Sequence, residues 1–297
     1  MSSNKRRLLM AQWDVFTTKR LQGNSLAVFF DGRGLSDSEM QAVAREMNLS
    51  ETTFVLPRER KVEQESGVRV RIFTVQEELP FAGHPTLGTA FALRAESRVQ
   101  EITLQLNVGK VPVRFQDVDE GPAFAEMTQM DPVFGLQHDR GTLANALGVS
   151  PDNFDASLPV ETVSTGLPYT IVPVKSLAVL QKLRVDLGRA TAYLEKSDAK
   201  FFYFVSRETV DPAARLHARM LFYNGEDPAT GSAAGCAAAW MVAHGICESG
   251  QRVLIEQGIE MMRPSRIFVR ASRGDNRMVN VCVGGHAVEI MRGEVFL

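Results

Sequence analysis

Two short stretches of this chain repeat one another at a fixed spacing, and no other feature of the sequence restricts the fold as strongly. Gly83-His84-Pro85-Thr86-Leu87-Gly88-Thr89-Ala90 and Glu226-Asp227-Pro228-Ala229-Thr230-Gly231-Ser232-Ala233 share the pattern His/Asp-Pro-x-x-Gly-Thr/Ser-Ala at an offset of 143 (227 − 84). Gly23-Asn24-Ser25-Leu26-Ala27-Val28 and Gly166-Leu167-Pro168-Tyr169-Thr170-Ile171-Val172 open strand-like runs at the same offset of 143 (166 − 23). Two similarities sharing one offset imply two related halves, each a strand-rich segment followed by a turn and a helix. A length of 297 residues fits two domains at roughly 100–200 residues each. The halves are expected near 1–127 and 128–284, with a hinge around Ala125 to Gln137, and superposing them at this offset would align His84 with Asp227.

Alternating runs predict strands at 8–16, 24–31, 52–56, 68–74, 101–106 and 110–116 in the first half. The second half repeats the pattern at 160–164, 169–175, 200–206, 216–223, 252–256, 265–271 and 278–283, and Ala287 to Leu297 reads as a final hairpin around Gly293. Helices are fewer. Ser36-Asp37-Ser38-Glu39 is a capping box, with Leu35 and Met40 spaced as a hydrophobic staple, and predicts a helix to about Met47. Gly141 and Asp186 are read as preceding two more. Many strands and few helices indicate an α+β fold.

The two repeated turns carry the chemistry. Proline suits the first turn of a helix and Asp suits the N-cap, so His84-Pro85 and Asp227-Pro228 are each expected to start one. Backbone N–H groups near Gly83 and near Gly231 and Ser232 could then meet an anion at the positive end of the helix dipole. Both helices are apolar nearly all round, which predicts that each is buried as the axis of its half. If the two N-termini converge, they form a cleft suited to a small molecule. The plainer alternatives stay open: Asp227 as a simple cap, His84 as a structural histidine. Glu46 is the other candidate. It is placed at the edge of the apolar face made by Met40, Val43, Ala44 and Met47, near the helix C-terminus. The dipole and partial burial would both favour its protonated form, as a general acid/base needs.

These residues resemble the PhzF family, the phenazine biosynthesis-like proteins. The resemblance lies in Asp14-Val15-Phe16-Thr17 with Gly23-Asn24, in Ala44-Arg45-Glu46-Met47-Asn48-Leu49-Ser50-Glu51-Thr52, in Arg71-Ile72-Phe73-Thr74, in Leu79-Pro80-Phe81-Ala82-Gly83-His84-Pro85-Thr86-Leu87-Gly88 and in the Glu226 to Ala233 turn. The closing segment from Gly284 to Leu297 is also similar. The resemblance implies a diaminopimelate-epimerase-like fold: two pseudo-symmetric domains, each a barrel-like, mostly antiparallel sheet around a central apolar helix, with residues from about 285 to 297 returning to the first. It implies a homodimeric isomerase that moves a proton without metal or organic cofactor. It assigns the acid/base role to Glu46 and substrate binding to Gly83, His84, Asp227, Gly231 and Ser232. Three departures put the substrate in doubt: Ser25 and Val75, where the family often has Pro, and a short stretch between Phe222 and Glu226.

Composition narrows the alternatives. Lys and Arg total 33 against 35 Asp and Glu, a net charge of −2, so no single-sign field invites nucleic acid or an anionic membrane. Cys236, Cys247 and Cys282 form no CxxC and cannot all pair, which suits a reducing cytoplasm. The five histidines show no metal-binding spacing. The basic Lys5-Arg6-Arg7 is followed by too short an apolar run for a secretory signal. The leading expectation is a cofactor-independent isomerase of a small carboxylate substrate. A two-thiol racemase or epimerase and a non-catalytic binding protein that keeps the fold are the alternatives.

Overall fold

The computed structural model describes residues 6–119, 121–222, 225–275 and 277–297. Tyr223, to which one predicted strand extends, and Asn224, inside the short stretch before Asp227, lie outside the described residues, as does Lys5. The chain divides into two compact units, Met1–Met127 with Gly285–Leu297, and Thr128–Gly284.

The first unit runs β1 (Arg7–Val15), β2 (Asn24–Phe29), α1 (Asp37–Met47), β3 (Glu51–Leu56), α2 (Arg60–Ser66), β4 (Val68–Phe73), β5 (Glu78–Leu79), α3 (Gly83–Ser97), β6 (Glu101–Leu106), β7 (Gly109–Gln116) and β8 (Phe124–Thr128). The second runs β9 (Val133–Gln137), α4 (Arg140–Leu147), β10 (Glu161–Ser164), β11 (Pro168–Pro173), α5 (Leu177–Lys182), α6 (Leu187–Leu194), β12 (Phe201–Ser206), β13 (Ala214–Phe222), β14 (Gly225–Asp227), α7 (Gly231–Ala243), β15 (Val253–Gln257), β16 (Ser265–Arg273) and β17 (Met278–Phe296). Residues 285–296 of β17 belong to the first unit. The fold is α+β.

In the first unit the hydrogen-bonded order is β8-β7-β6-β4-β3-β2-β1-β17, and a β17–β8 pairing closes an eight-stranded barrel. The pairs β2–β3 and β4–β6 are parallel and the other registered pairs are antiparallel. The second unit repeats the scheme as β9-β10-β11-β12-β13-β15-β16-β17, with β11–β12 and β13–β15 parallel. The parallel pairs fall at equivalent places because each joins strands separated by a helix-bearing crossover.

Both apolar helices are buried. Gly83 to Ala92 of α3 are buried against β1, β2, β3, β6 and β7. Gly231 to Val242 of α7 are buried and pack on β10, β11 and β16. The capping box forms as the sequence predicts: Ser36 Oγ accepts from the Glu39 N–H, and the Glu39 carboxylate accepts from the Ser36 N–H at 2.7 Å. Leu35 and Met40 share the α1 core with Phe29, Phe54 and Phe73.

Three expectations need correction. The segment after Ala287 is no hairpin: β17 continues to Phe296, and Gly293 pairs with Met10 inside a long antiparallel ladder. Gly141 does not precede α4 but is its second residue, behind the Asp139 cap. The two deep helices begin 148 residues apart (231 − 83), so the motif offset of 143 does not superpose their starts.

Candidate functional site

The first turn assembles around α3. Gly23 has φ of +70°, and a Cβ there would lie 2.3 Å from the Val15 carbonyl oxygen, so only glycine lets β1 turn this tightly into β2. The turn puts Asn24 at the start of β2, where its Nδ2 lies 3.0 Å from His84 Nδ1. His84 is the second residue of α3 and is buried. Ala82 precedes the helix and supplies no side-chain cap. The N–H groups of Gly83 and His84 have no intrahelical partner by construction, and Pro85 has none to offer.

Burial lowers the His84 pKa to about 3, against a weaker opposite pull from the Ser25 backbone, so the ring is neutral. Nε2 makes no hydrogen bond among the described residues, and the Glu51 Oε2 lies 3.4 Å away. Because the imidazole is uncharged, that approach is no ion pair.

Glu51 reaches this place through strand alternation. Thr53 Oγ1 lies 2.9 Å from Thr89 Oγ1 of α3, so the odd-numbered residues of β3 face the deep helix. Phe54 faces the other way, into the cluster with Met40, Val43 and Ala44 of α1. Glu51 therefore shares the inner face with Thr53, and its side chain keeps 13% exposure. Glu46 sits on α1, which packs on the opposite face of β3, and it is exposed. The expected partial burial of Glu46 fails, and the structure does not bring it to His84.

The second turn is built differently. Asp227 ends β14, three residues ahead of the true N-cap, Thr230. Asp227 is thus not the cap that the sequence suggested. Its Oδ2 accepts from Thr230 Oγ1 at 2.6 Å, which turns the threonine hydroxyl away from the helix N–H groups. Gly231 opens α7, with its carbonyl accepting from Gln129 Nε2 at 3.1 Å. Ser232 is the second helical residue, and its Oγ lies 2.8 Å from the Tyr169 hydroxyl. Gly231, Ser232 and Asp227 are all buried. Tyr203 is fully buried, and burial followed by the nearby Asp227 charge pushes its pKa well up, so it remains a donor.

Sequence reasoning missed Glu51. The signal was present in Glu51-Thr52-Thr53-Phe54, where period-2 alternation sets two polar residues on one face and a phenylalanine on the other. It also missed Tyr169 and Gln257, which act as partners rather than as a motif.

A family model described as phenazine biosynthesis-like protein, PhzC-PhzF, matches residues 13–293. The chain belongs to this family. A PhzF relative from Pseudomonas chlororaphis, named trans-2,3-dihydro-3-hydroxyanthranilate isomerase, is 37% identical over 96% of this chain and 98% of its own. The crystal structure of a PhzF family protein from Bacillus anthracis superposes with a TM-score of 0.86 at 28% identity, covering 98% of this chain and 100% of that one. A hydroxyproline epimerase from Agrobacterium vitis shares the fold alone, with a TM-score of 0.67 at 13% identity over 98% of this chain and 93% of its own. PhzF relatives are named isomerases, and isomerase is the enzyme class of this chain. Among the described residues, no helix is long and apolar enough to cross a membrane.

Proposed function

We propose that this chain moves a proton within a small, cyclic carboxylate substrate, with Glu51 as the group that takes and returns it. One observation carries the reading: a nearly buried carboxylate 3.4 Å from a neutral imidazole, at the uncapped start of a buried helix. In the step proposed, the ionised Glu51 accepts a proton from a substrate C–H, and the electron pair left behind shifts into the adjoining unsaturation. The protonated Glu51, whose carboxyl proton exchanges with solvent, then delivers a proton to another carbon, so no external oxidant or cofactor enters the balance. The neutral His84 presents Nε2 to a polar atom of the substrate. The Gly83 and His84 N–H groups suit a substrate carboxylate or a developing enolate.

Asp227, Gly231 and Ser232 are proposed to hold the amine or hydroxyl groups, which keeps the sequence reading that both turns serve one substrate. The acid/base role passes from Glu46 to Glu51. Following the family resemblance, the proposal extends to a homodimer working in the cytoplasm.

A two-thiol racemase is disfavoured. All three cysteines lie between residues 128 and 284, and burial pushes the Cys236 thiol up to about 12. Such a thiol is a poor base.

The test is incubation of the wild type in D2O with trans-2,3-dihydro-3-hydroxyanthranilate and related cyclic amino- or hydroxy-carboxylates. Deuterium entering a C–H bond of a rearranged product is the expected result. Binding without exchange on any of them would contradict the isomerase reading and favour a non-catalytic binding protein.

A further inference from the structure

The Asp227 turn is held by a residue that the catalytic proposal does not use. Gln257 ends β15 and is completely buried. Its Oε1 accepts from the Thr230 N–H at 3.1 Å and from the Tyr203 hydroxyl at 3.0 Å. Its Nε2 donates to the Asp227 carbonyl at 2.7 Å and to Thr230 Oγ1 at 2.9 Å. These four bonds use both hydrogens of the amide and one bond for each oxygen lone pair. The orientation is also unambiguous, because a backbone N–H can only donate and a backbone carbonyl can only accept.

The bonds run in a directed relay. Gln257 Nε2 donates to Thr230 Oγ1, and Thr230 Oγ1 donates to Asp227 Oδ2 at 2.6 Å. Gln257 thereby fixes the Asp227 carboxylate through one hydroxyl and the Asp227 backbone directly. The next residue adds a steric stop. Gly258 has φ of +77°, and a Cβ there would lie 2.5 Å from the Pro228 carbonyl oxygen. The end of β15 thus lies tightly against the turn from Asp227 to Thr230.

We infer that Gln257 is a positioning residue for substrate binding: without touching substrate, it sets the direction of the Asp227 carboxylate through Thr230 and so sets the affinity of the site. The inference rests on the proposed role of Asp227 in holding substrate. Its chemical signature is donor dependence. Gln257→Glu keeps the shape but can donate only while its new carboxyl is protonated, and burial raises the pKa of such a carboxyl. KM should be closest to the wild-type value at the acid end, where the one O–H replaces one of the two donations, and rise with pH as the oxygen in the place of Nε2 becomes an acceptor facing the Asp227 carbonyl and Thr230 Oγ1.

The experiment measures kcat and KM from about pH 6 to about pH 8 on trans-2,3-dihydro-3-hydroxyanthranilate, with wild type, Gln257→Glu and Tyr203→Phe. For Gln257→Glu we expect KM at the alkaline end to rise about tenfold or more, with kcat within roughly threefold, as loss of buried hydrogen bonds to one binding group implies. Tyr203→Phe leaves every bond to the turn in place and should raise KM by only about two- to fivefold at all pH values. It keeps the inference testable should Gln257→Glu fail to fold, because a KM equal to that of the wild type would then count against the relay. Wild-type turnover together with a pH-independent, unshifted KM in folded Gln257→Glu would overturn the role of Gln257 alone. No turnover by the wild type would instead overturn the functional reading beneath it, before any variant is compared.

Discussion

The two deep helices begin alike and are equipped differently. In the first unit His84, second residue of α3, is held by Asn24 from the start of β2, and Glu51 approaches from the start of β3. In the second, Ser232, second residue of α7, is held by the Tyr169 hydroxyl from the start of β11. At the start of β12, where β3 carries Glu51, stands Phe201, 5.8 Å from the Tyr169 ring. One frame of parallel strands thus presents a titratable pair in one unit and hydroxyls beside aromatic rings in the other. Under the proposed function this is a division of labour: the first turn handles a proton, and the second, with Asp227 fixed by Thr230 and Gln257, holds a polar group in one orientation.

The buried histidines extend the contrast and give the largest expected effect. His84 is driven neutral by burial, with its pKa lowered to about 3 from 6.5. The unfolded chain then takes up a proton that the folded one refuses, so stability falls as pH drops from about 6.5 toward about 3. His217 has the opposite sign. Burial alone would lower its pKa, but hydrogen bonds and charge from Glu260 and Glu256, at 3.0 and 2.7 Å, raise it. Its stabilisation is complete below the unfolded pKa and is lost as pH rises through the folded value. NMR of the ring nitrogens should find His84 neutral at about pH 5 and His217 still charged above the ordinary histidine midpoint. A His84 that titrates near 6.5 would break the contrast.

Packing at the two helices gives the next effect. A Cβ on Gly235 of α7 would lie 1.9 Å from Gln129 Oε1 and would displace the amide that bonds Gly231 and Thr165. A Cβ on Gly88 of α3 would meet only methyl groups, of Val15 and Leu26, each at 2.7 Å. In urea unfolding, Gly235→Ala should cost about 3 kcal/mol and Gly88→Ala about 1 kcal/mol, since overpacking plus broken hydrogen bonds exceeds overpacking alone. Equal losses would mean that Gln129 does not fasten the second helix. Tyr169→Phe should cost no more than Gly88→Ala, about 1 kcal/mol for one hydroxyl bond to Ser232.

The fold was largely legible because its signals are local. The capping box at Ser36, the alternation of 101–106 and the all-apolar runs of both deep helices each depend on neighbours within a few residues. Where partners are remote, reading failed. Gly293 resembles a turn by composition, yet pairing with β1 keeps it extended. α2 and α5, of 7 and 6 residues, lack the length for periodicity to show. The shared motif of the two turns misled on register, because His84-Pro85 lies inside its helix whereas Asp227-Pro228 lies before its own. In the site, the expected burial of Glu46 failed in the same way. Glu46 satisfied a rule about one helix, whereas Glu51 owes its place to the faces of a sheet, which a helix-local rule does not see.

Those two glutamates, five positions apart on opposite sides of β3, give the most direct test of the central claim. Deuterium incorporation from D2O into the substrate that the wild type turns over should be measured side by side for Glu51→Gln and Glu46→Gln, each confirmed as folded. Glu51→Gln should lose about 10²–10⁴ in rate, the usual worth of a general acid/base, while still binding substrate, and Glu46→Gln should match the wild type. The reverse pattern, or near-wild-type exchange in Glu51→Gln, would contradict the assignment of proton transfer to the inner face of β3.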